Sequence, residues 1–593
     1  MPEEGDGTYS AIANGVGFLS LRAAAEPYFV GSTSGFHLAR MVHLMLSSSF
    51  STLARQSMDF ASPNTSLLTS NWEAIESAKI AQDPPQHIAD ELVALYFSRI
   101  HLRYPLIDWV AFRRTYKRKH ELEPSRRSDR MRLFVLHMVY AMGARILELN
   151  FRREYDVSPE SHYATALQYL DASLEIHGVE NVQALLLLSL FSLRASESLG
   201  TLGGWHVLGL AMRVCTELGL HRKVHYGMAK QCDPYLMEIR KRNFWSAYLL
   251  DRSLCITLGR PFAIAEHDID AELPLDIDEG EDDAEIVQDT HQQQFAERGP
   301  LTSAAPQPTN LSSFVHMCRL RRIESGIQHD IYGADVNIKY LVGHRYEVID
   351  KYISKLDSWF DTIPYKESIT SRGKSDKTVY DCFEYSQICY SKTMRLLLQP
   401  RIAALSTPCD YDPYIVVCAK ACGDICKYYK IIHQAHPLSY NLLALHSVFT
   451  AGTTLLYCVW IYRDLLKQSV MNDVRACSNV LFVIAERWPA AEQYRDAYEV
   501  LASHMQDMFY SDKQEINKLS LPADNVGYDF SRNILSIQQG ATGINDVEFW
   551  TMYNNLVAEN WSDFISTQPS HNWVNQQAPS DQVVPQQANV FQS

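Results

Sequence analysis

Cysteine is missing from this chain before Cys215, and the twelve from Cys215 to Cys477 show no pairing rhythm. That excludes the dense, evenly paired pattern of a small secreted scaffold and points to reduced thiols inside a cell. Positive charge is also short: 54 Lys and Arg stand against 69 Asp and Glu, a net charge of −15. Affinity for the phosphate backbone comes mainly from Lys and Arg displacing counterions, so the bulk of the chain is a poor DNA binder unless a local basic patch does the work. The start, Met1-Pro2-Glu3-Glu4-Gly5-Asp6, has neither the basic nor the apolar region of a signal peptide. One stretch, Leu442 to Tyr462, is apolar enough to raise a membrane question. It carries His446, Ser447, Thr450, Thr453 and Thr454 and lacks an aromatic or basic belt at both ends, so it reads as a buried core helix and no membrane partner is expected.

Catalytic patterns are missing as well. Gly31-Ser-Thr-Ser-Gly35 has Thr33 where a nucleophile elbow needs serine and reads as a polar turn. Gly373-Lys374-Ser375 ends like a phosphate loop, but Ser368 stands where the earlier glycine belongs. Cys418, Cys422 and Cys426 recur every fourth residue along one helical face. Three sulfurs spread over about 12 Å at 1.5 Å rise per residue cannot share one zinc, so they read as small core residues. His221, His225, Cys232 and Asp233 could be imagined as a metal set but lack a recognised ligand spacing. No catalytic, cofactor-binding or metal residue is assigned, no cofactor is expected, and the chain is read as a non-enzyme.

What is present is helical periodicity. Hydrophobic residues make up 46% and charged residues 21%, ordinary globular values. Residues 86–118 predict a helix, a turn at Tyr104-Pro105 and a second helix; Met131–Leu149, Ser161–His177 and Asn181–Leu199 predict three more. Trp205–Leu218 is apolar nearly all round, which predicts a central core helix, with Gly219 as a left-handed cap and Leu220 as its hydrophobic contact. Tyr235–Leu258 follows, stopped by Gly259 and Pro261, with Glu238 and Arg242 spaced to pair on its exposed side. Asp251 sits among apolar neighbours and needs a cation, for which Arg213, Arg252 and Arg260 are the candidates.

The fold expected is all-α, a multi-helix body with a disordered acidic loop and a disordered C-terminal tail. Its parts are a partly ordered segment 1–85, a first helical half 86–275, an acidic and polar loop 276–310, a second half 311–512 and a C-terminal segment 513–593. The loop expectation rests on composition: Glu266 to Asp289 holds twelve acidic residues and no Lys or Arg. The densest basic cluster is Arg113, Arg114, Lys117, Arg118, Lys119, Arg126, Arg127, Arg130 and Arg132. It fits a nuclear-import signal, a nucleic-acid contact or a solvated loop. Ile544 to Ile565 mixes acids with bulky apolar groups and fits either an activation segment or a last helix docked on the core.

A longer pattern runs through Gly204-Trp205, Leu208-Gly209, Arg213, Leu218-Gly219-Leu220-His221-Arg222, Glu238, Arg240, Arg242, Phe244-Trp245, Tyr248, Asp251-Arg252, Leu258-Gly259-Arg260-Pro261, Asp268, Asp270 and Leu273-Pro274. It resembles the fungal-specific transcription factor domain, the middle homology region of binuclear zinc-cluster regulators. Gly31–Leu38 and Tyr96-Phe97, His101, Tyr104-Pro105 and Phe112 extend the likeness over about residues 14–275. The resemblance implies a nuclear transcription regulator, an activator of a metabolic or secondary-metabolite gene cluster, working as a homodimer or with a zinc-cluster partner. It also implies contact with the transcription machinery through the C-terminal region. With no cysteine before Cys215, the family's zinc cluster has no counterpart in these residues. DNA contact is therefore expected indirectly or through a missing module, and a partner-dependent or dominant-negative regulator is the alternative. From other classes, a helical scaffold or a terpene-cyclase-like enzyme remain; the enzyme needs carboxylate motifs on core helices.

Overall fold

The computed structural model describes residues 32–34, 81–151, 157–174, 178–194, 203–223, 233–296, 308–333, 346–371, 380–405, 412–436, 438, 440–503 and 505. The Gly373-Lys374-Ser375 match, His225, Cys232, the Ile544–Ile565 segment and the C-terminal tail lie outside them. Among the described residues the regular elements are all helical. The first group is α1 (Gln86–Tyr96, running into a π turn at Phe97–His101), α2 (Trp109–Lys117), α3 (Arg127–Phe151), α4 (Pro159–Leu167), α5 (Leu170–Leu174), α6 (Val179–Ser192), α7 (Gly204–Glu217) and α8 (Pro234–Leu258). Then come α9 (Ala284–Ala296), α10 (Ser312–Tyr332), α11 (Tyr346–Asp361), α12 (Phe383–Ala403), α13 (Pro413–Ala435), α14 (Leu442–Ile461) and α15 (Gln468–Arg487).

The helices begin where side chains can take up their free N–H groups. Asp108 accepts from Ala111, Ser158 from Ser161, Asp233 from Tyr235, Asp412 from Tyr414 and Asn441 from Ala444. At Ser158-Pro159, Asp233-Pro234 and Asp412-Pro413 the cap precedes a proline whose fixed φ suits the first helical position. Each cap contributes about 1 kcal/mol. The helix expected over Ser161–His177 is instead divided, because Gln168 and Tyr169 donate to Thr165 and Ala166 three residues back and tighten the chain into a turn. The predicted end of α7 is present in full: Gly219 has φ +64°, Leu220 N–H reaches back to the Cys215 carbonyl at 2.9 Å, and the Leu220 side chain is buried. Gly259, at φ +67°, closes α8 in the same way.

Helix α8 joins the two halves, packing on α6 and α7 on one side and on α10 and α14 on the other. In the second half α12, α13, α14 and α15 pack as neighbours. The apolar helix α14 is buried among them, as its composition suggested. Its polar residues are accommodated internally: Thr450 donates to the His446 carbonyl, and Thr453 and Thr454 donate to that of Thr450. The short turn Ser32–Ser34 is pinned inside, with Thr33 Oγ1 donating to the Ile256 carbonyl on α8 and Gln399 of α12 donating to that of Ser32.

Three expectations need correction. Helix α7 is not buried all round: Leu210 and Arg213 face outward, because only one side of α7 meets α6 and α8. Glu238 and Arg242 are buried rather than on an exposed face, and Glu238 pairs with Lys241 at 2.8 Å while accepting from Leu275 N–H at 2.9 Å. The acidic stretch is not a disordered loop over its described part, Glu266 to Ala296. It forms a strap that ends in α9, with Leu275, Ile277 and Val287 buried together. Composition misled because the cations come from elsewhere in the chain. Arg322 pairs with Glu266, Arg222 with Asp270, Lys223, Lys241 and His291 with Glu272, and Arg114 with Asp282. The bond from His291, with Lys223 and Lys241 beside it, holds the Glu272 carboxyl well below the usual carboxylate range.

Burial lowers His137 to about 4, His162 to about 3, His316 to about 3, His433 to about 4 and His446 to about 3. His137 and His162 are hydrogen-bonded through their Nδ1 atoms, 3.1 Å apart. Below the ordinary histidine value the unfolded chain takes up protons that the folded chain refuses, so this stability is present above pH 6.5 and lost as the pH falls toward 4. Each histidine adds a slope of about 1.4 kcal/mol per pH unit in that window. Urea midpoints measured from pH 7 to pH 4.5 should fall steeply, and less steeply in His162→Gln; a flat profile would contradict the neutral, buried assignment.

Candidate functional site

Asp251 and Arg252 lie near the C-terminal end of α8, where α10 and the start of the strap meet it. Arg252 Nη1 donates to Asp251 Oδ2 at 2.8 Å, which selects Arg252 from the three candidate partners. The rest of the guanidinium is also occupied. Nε donates to Ser325 Oγ at 3.1 Å and Nη2 to the Ile264 carbonyl at 2.8 Å, while Tyr248 and Phe262 cover its faces at 4.0 and 4.4 Å. Burial raises the Asp251 carboxyl above its usual value against the pull of Arg252. Every contact is internal, so this knot holds the body together.

A second polar cluster lies between the halves and is less fully satisfied. The π turn after α1 and the loop beyond it supply Arg99, Arg103 and Tyr104, and the turn closing α6 supplies Arg194. Helix α10 supplies Arg321 and Glu324. The approach to α12 brings Tyr380, and α12 itself presents Tyr385, Cys389 and Lys392 at i, i+4 and i+7, one helical face. The Arg103 guanidinium lies over the rings of Tyr380, Tyr385 and Tyr104 at 4.8, 5.4 and 5.6 Å, and Tyr380 and Tyr385 meet edge to face at 4.9 Å. Arg194 Nη1 donates to the Leu190 carbonyl at 3.1 Å, but Arg194 Nε and Arg99 Nε and Nη1 are buried without a partner. Arg321 pairs with Glu324, which also accepts from Thr393 Oγ1 at 2.7 Å. Lys392 makes no ion pair among the described residues.

The electrostatics follow from this crowding. Burial pushes the Tyr380 phenol up, yet Arg103, Arg194 and Arg99 together override it and hold it below the usual tyrosine value. Burial lowers Arg99 and Arg194, and burial with the neighbouring Arg321 brings Lys392 down to about 8. A cation over an aromatic face gains about 2 kcal/mol when desolvated, against several kcal/mol to bury an ion. The phenols therefore offset only part of the cost. Arg103, Arg321, Tyr385 and Lys392 each keep some accessible surface. Sequence reading missed this cluster. The one legible signal was Lys392 on the largely buried face of α12.

The basic cluster near α2 and α3 is partly occupied by the protein itself. Arg114 pairs with Asp282, Arg126 with Glu123, Arg130 with Asp171 and Arg132 with Asp129, and Lys119 donates to Tyr140 Oη. Arg113, Lys117 and Arg118 are exposed. Cys418, Cys422, Cys426, Cys458 and Cys477 are free, buried thiols on α13, α14 and α15, which pack together. Asp233 is the cap of α8, and the His221 carbonyl accepts from Asp270 and Ala271 at the start of the strap.

Residues 93–363, from within α1 to just past α11, match the fungal specific transcription factor domain. The chain is 22% identical to the positive regulator of purine utilization of Emericella nidulans, over 84% of this chain and 55% of that one. It is 24% identical to pyrimidine pathway regulatory protein 1 of Saccharomyces cerevisiae, over 69% and 44%. It is 26% identical to an ABC-transporter-regulating transcription factor of Aspergillus fumigatus, over 47% and 29%. The chain thus spans about half the length, or less, of these curated relatives. Arg99, Arg103, Arg194 and Arg321 fall inside the matched region, and Tyr380, Tyr385 and Lys392 lie beyond it.

Replacing Asp251 with Asn leaves the fully buried Arg252 without its carboxylate at 2.8 Å. Breaking a buried pair from one side costs about 3–5 kcal/mol, and the remaining bonds to Ser325 and Ile264 place the expected loss toward the lower end. Thermal unfolding of Asp251→Asn checks it; unchanged stability and helicity would show that the pair holds nothing.

Proposed function

We propose that this chain, which belongs to the fungal specific transcription factor domain family, is a nuclear regulator of transcription that activates a metabolic or secondary-metabolite gene set. The observation that carries the reading is the match over residues 93–363, which covers α8 and most of the helices packed on it. The relatives' names support regulation of transcription, and two of them concern purine and pyrimidine metabolism. A regulatory and not a catalytic part is supported by the buried carboxylates: Glu238, Asp251 and Glu324 are each engaged by a neighbouring cation, and Glu384 by Ser368 and Ile369.

Contact with DNA is assigned to another module or to a zinc-cluster partner. The net charge of −15 repels phosphate, and much of the densest basic cluster is already paired with the protein's own acids. Deleting the coding region and comparing transcripts with the parent under several growth conditions tests the proposal. A coordinated fall in a small set of metabolic genes is expected. No change in any gene set, with the protein demonstrably expressed in the parent, would overturn it in favour of a scaffold or enzyme.

A further inference from the structure

Helix α7 turns outward a face that is unlike a solvated one. Trp205, Gly209, Arg213 and Glu217 follow one another every fourth residue, and His206, Leu210 and Val214 form the neighbouring row. The opposite side of the helix is buried against α6 and α8. Leu210 is 54% exposed. Glycine weakens a helix interior relative to alanine, so a glycine inside a helix calls for a physical reason. Gly143, Gly326, Gly423 and Gly452 each have one: a neighbouring atom lies 2.4 or 2.5 Å from where a Cβ would stand. Around Gly209 no atom lies within 4 Å of that point. Nothing inside the chain requires the missing side chain, and the residue beside it is an exposed leucine.

We propose that this face is the contact surface for a second copy of the chain. Gly209 is a notch in one row and Leu210 a knob in the next, side by side on one patch. A two-fold contact needs both halves of the fit on the same surface, because each copy offers what the other receives. With two α7 helices crossed at this point, each Leu210 seats over Gly209 of the other copy, as ridges seat in grooves. Charge also selects a copy over other occupants. Two chains of net charge −15 repel each other over most of their surface. On the outward face of α7 the exposed Arg213 and Glu217 cancel. Burial, with Arg260 nearby, holds His206 below the usual histidine value, so it adds no charge at pH 7. A strongly acidic or basic partner finds no net charge to match here, whereas a second copy meets no repulsion. One helix face per copy is a small interface, so the dimer is weak, with a dissociation constant on the order of 10 µM. The surface stands on the geometry of α7 and is independent of the transcriptional reading.

The test is sedimentation velocity of the full chain from about 1 to about 100 µM, a range that brackets the expected dissociation constant. The wild type is expected to sediment as a monomer at the low end and to shift toward a dimer at the high end. Leu210→Glu sets two acids against each other across the two-fold axis and should leave a monomer throughout. Gly209→Gln fills the notch with a good helix former. A Cβ there meets nothing in the chain, so this variant should melt at or above the wild-type temperature while its dimer weakens at least tenfold. A glycine kept only for the chain's own packing would lower the melting temperature instead. Phe482→Glu changes another exposed apolar residue, on α15, and should dimerise as the wild type does. A wild type that stays monomeric throughout overturns the proposal. So does a dimer that Leu210→Glu and Gly209→Gln leave intact, or one that Phe482→Glu disperses. Should Leu210→Glu lose helicity, the Gly209→Gln comparison decides.

Discussion

The guanidinium of Arg252 is fully enclosed, and a charge in that position has to be compensated from within the protein. Asp251 does so from the preceding residue, Ser325 from α10, the Ile264 carbonyl from the segment after α8, and Tyr248 and Phe262 from the two faces. Because these groups come from three stretches of chain, satisfying one side chain fixes where α10 and the beginning of the strap lie against α8. The strap then runs on under its own constraints: Trp245 Nε1 donates to the Glu272 carbonyl and Glu238 accepts from Leu275 N–H. Helix α8 is thus the element on which the two halves are registered, and polar groups buried along it set that registration.

The same principle explains what could and could not be read from the sequence. Local signals were legible. Gly219 after an apolar helix specified a left-handed cap. Asp251 was legible as a group needing a cation because its helical neighbours offered none, and the adjacent Arg252 was among the few candidates. The acidic stretch was misread because a window of sequence counts only its own charges. Arg114, Arg222, Lys223, Lys241 and Arg322 lie outside that window, and Leu275 and Ile277 are too few to register as a periodic pattern. Helix α7 was overestimated for a related reason: apolar residues at Leu210 and Val214 widened its stripe beyond what α6 and α8 cover.

The interior cation cluster was illegible in principle from spacing. Arg99, Arg103, Arg194, Arg321 and Lys392 are separated by long stretches of chain and come together only when α1, α6, α10 and α12 pack. Read singly, each arginine looks like a surface residue. Together they make a buried cluster whose charge is at odds with the rest of this acidic chain. The knot at Arg252 is internally balanced; in the cluster around Arg103, nitrogens of Arg99 and Arg194 are buried without partners.

The central claim is that this body serves transcription, and the most direct measurement is chromatin immunoprecipitation of the tagged chain expressed from its own locus. The account predicts enrichment at a limited set of promoters, lost when a partner that carries the zinc cluster is removed if the contact with DNA is indirect. Expressed protein with no enrichment at any promoter over an untagged control would contradict it.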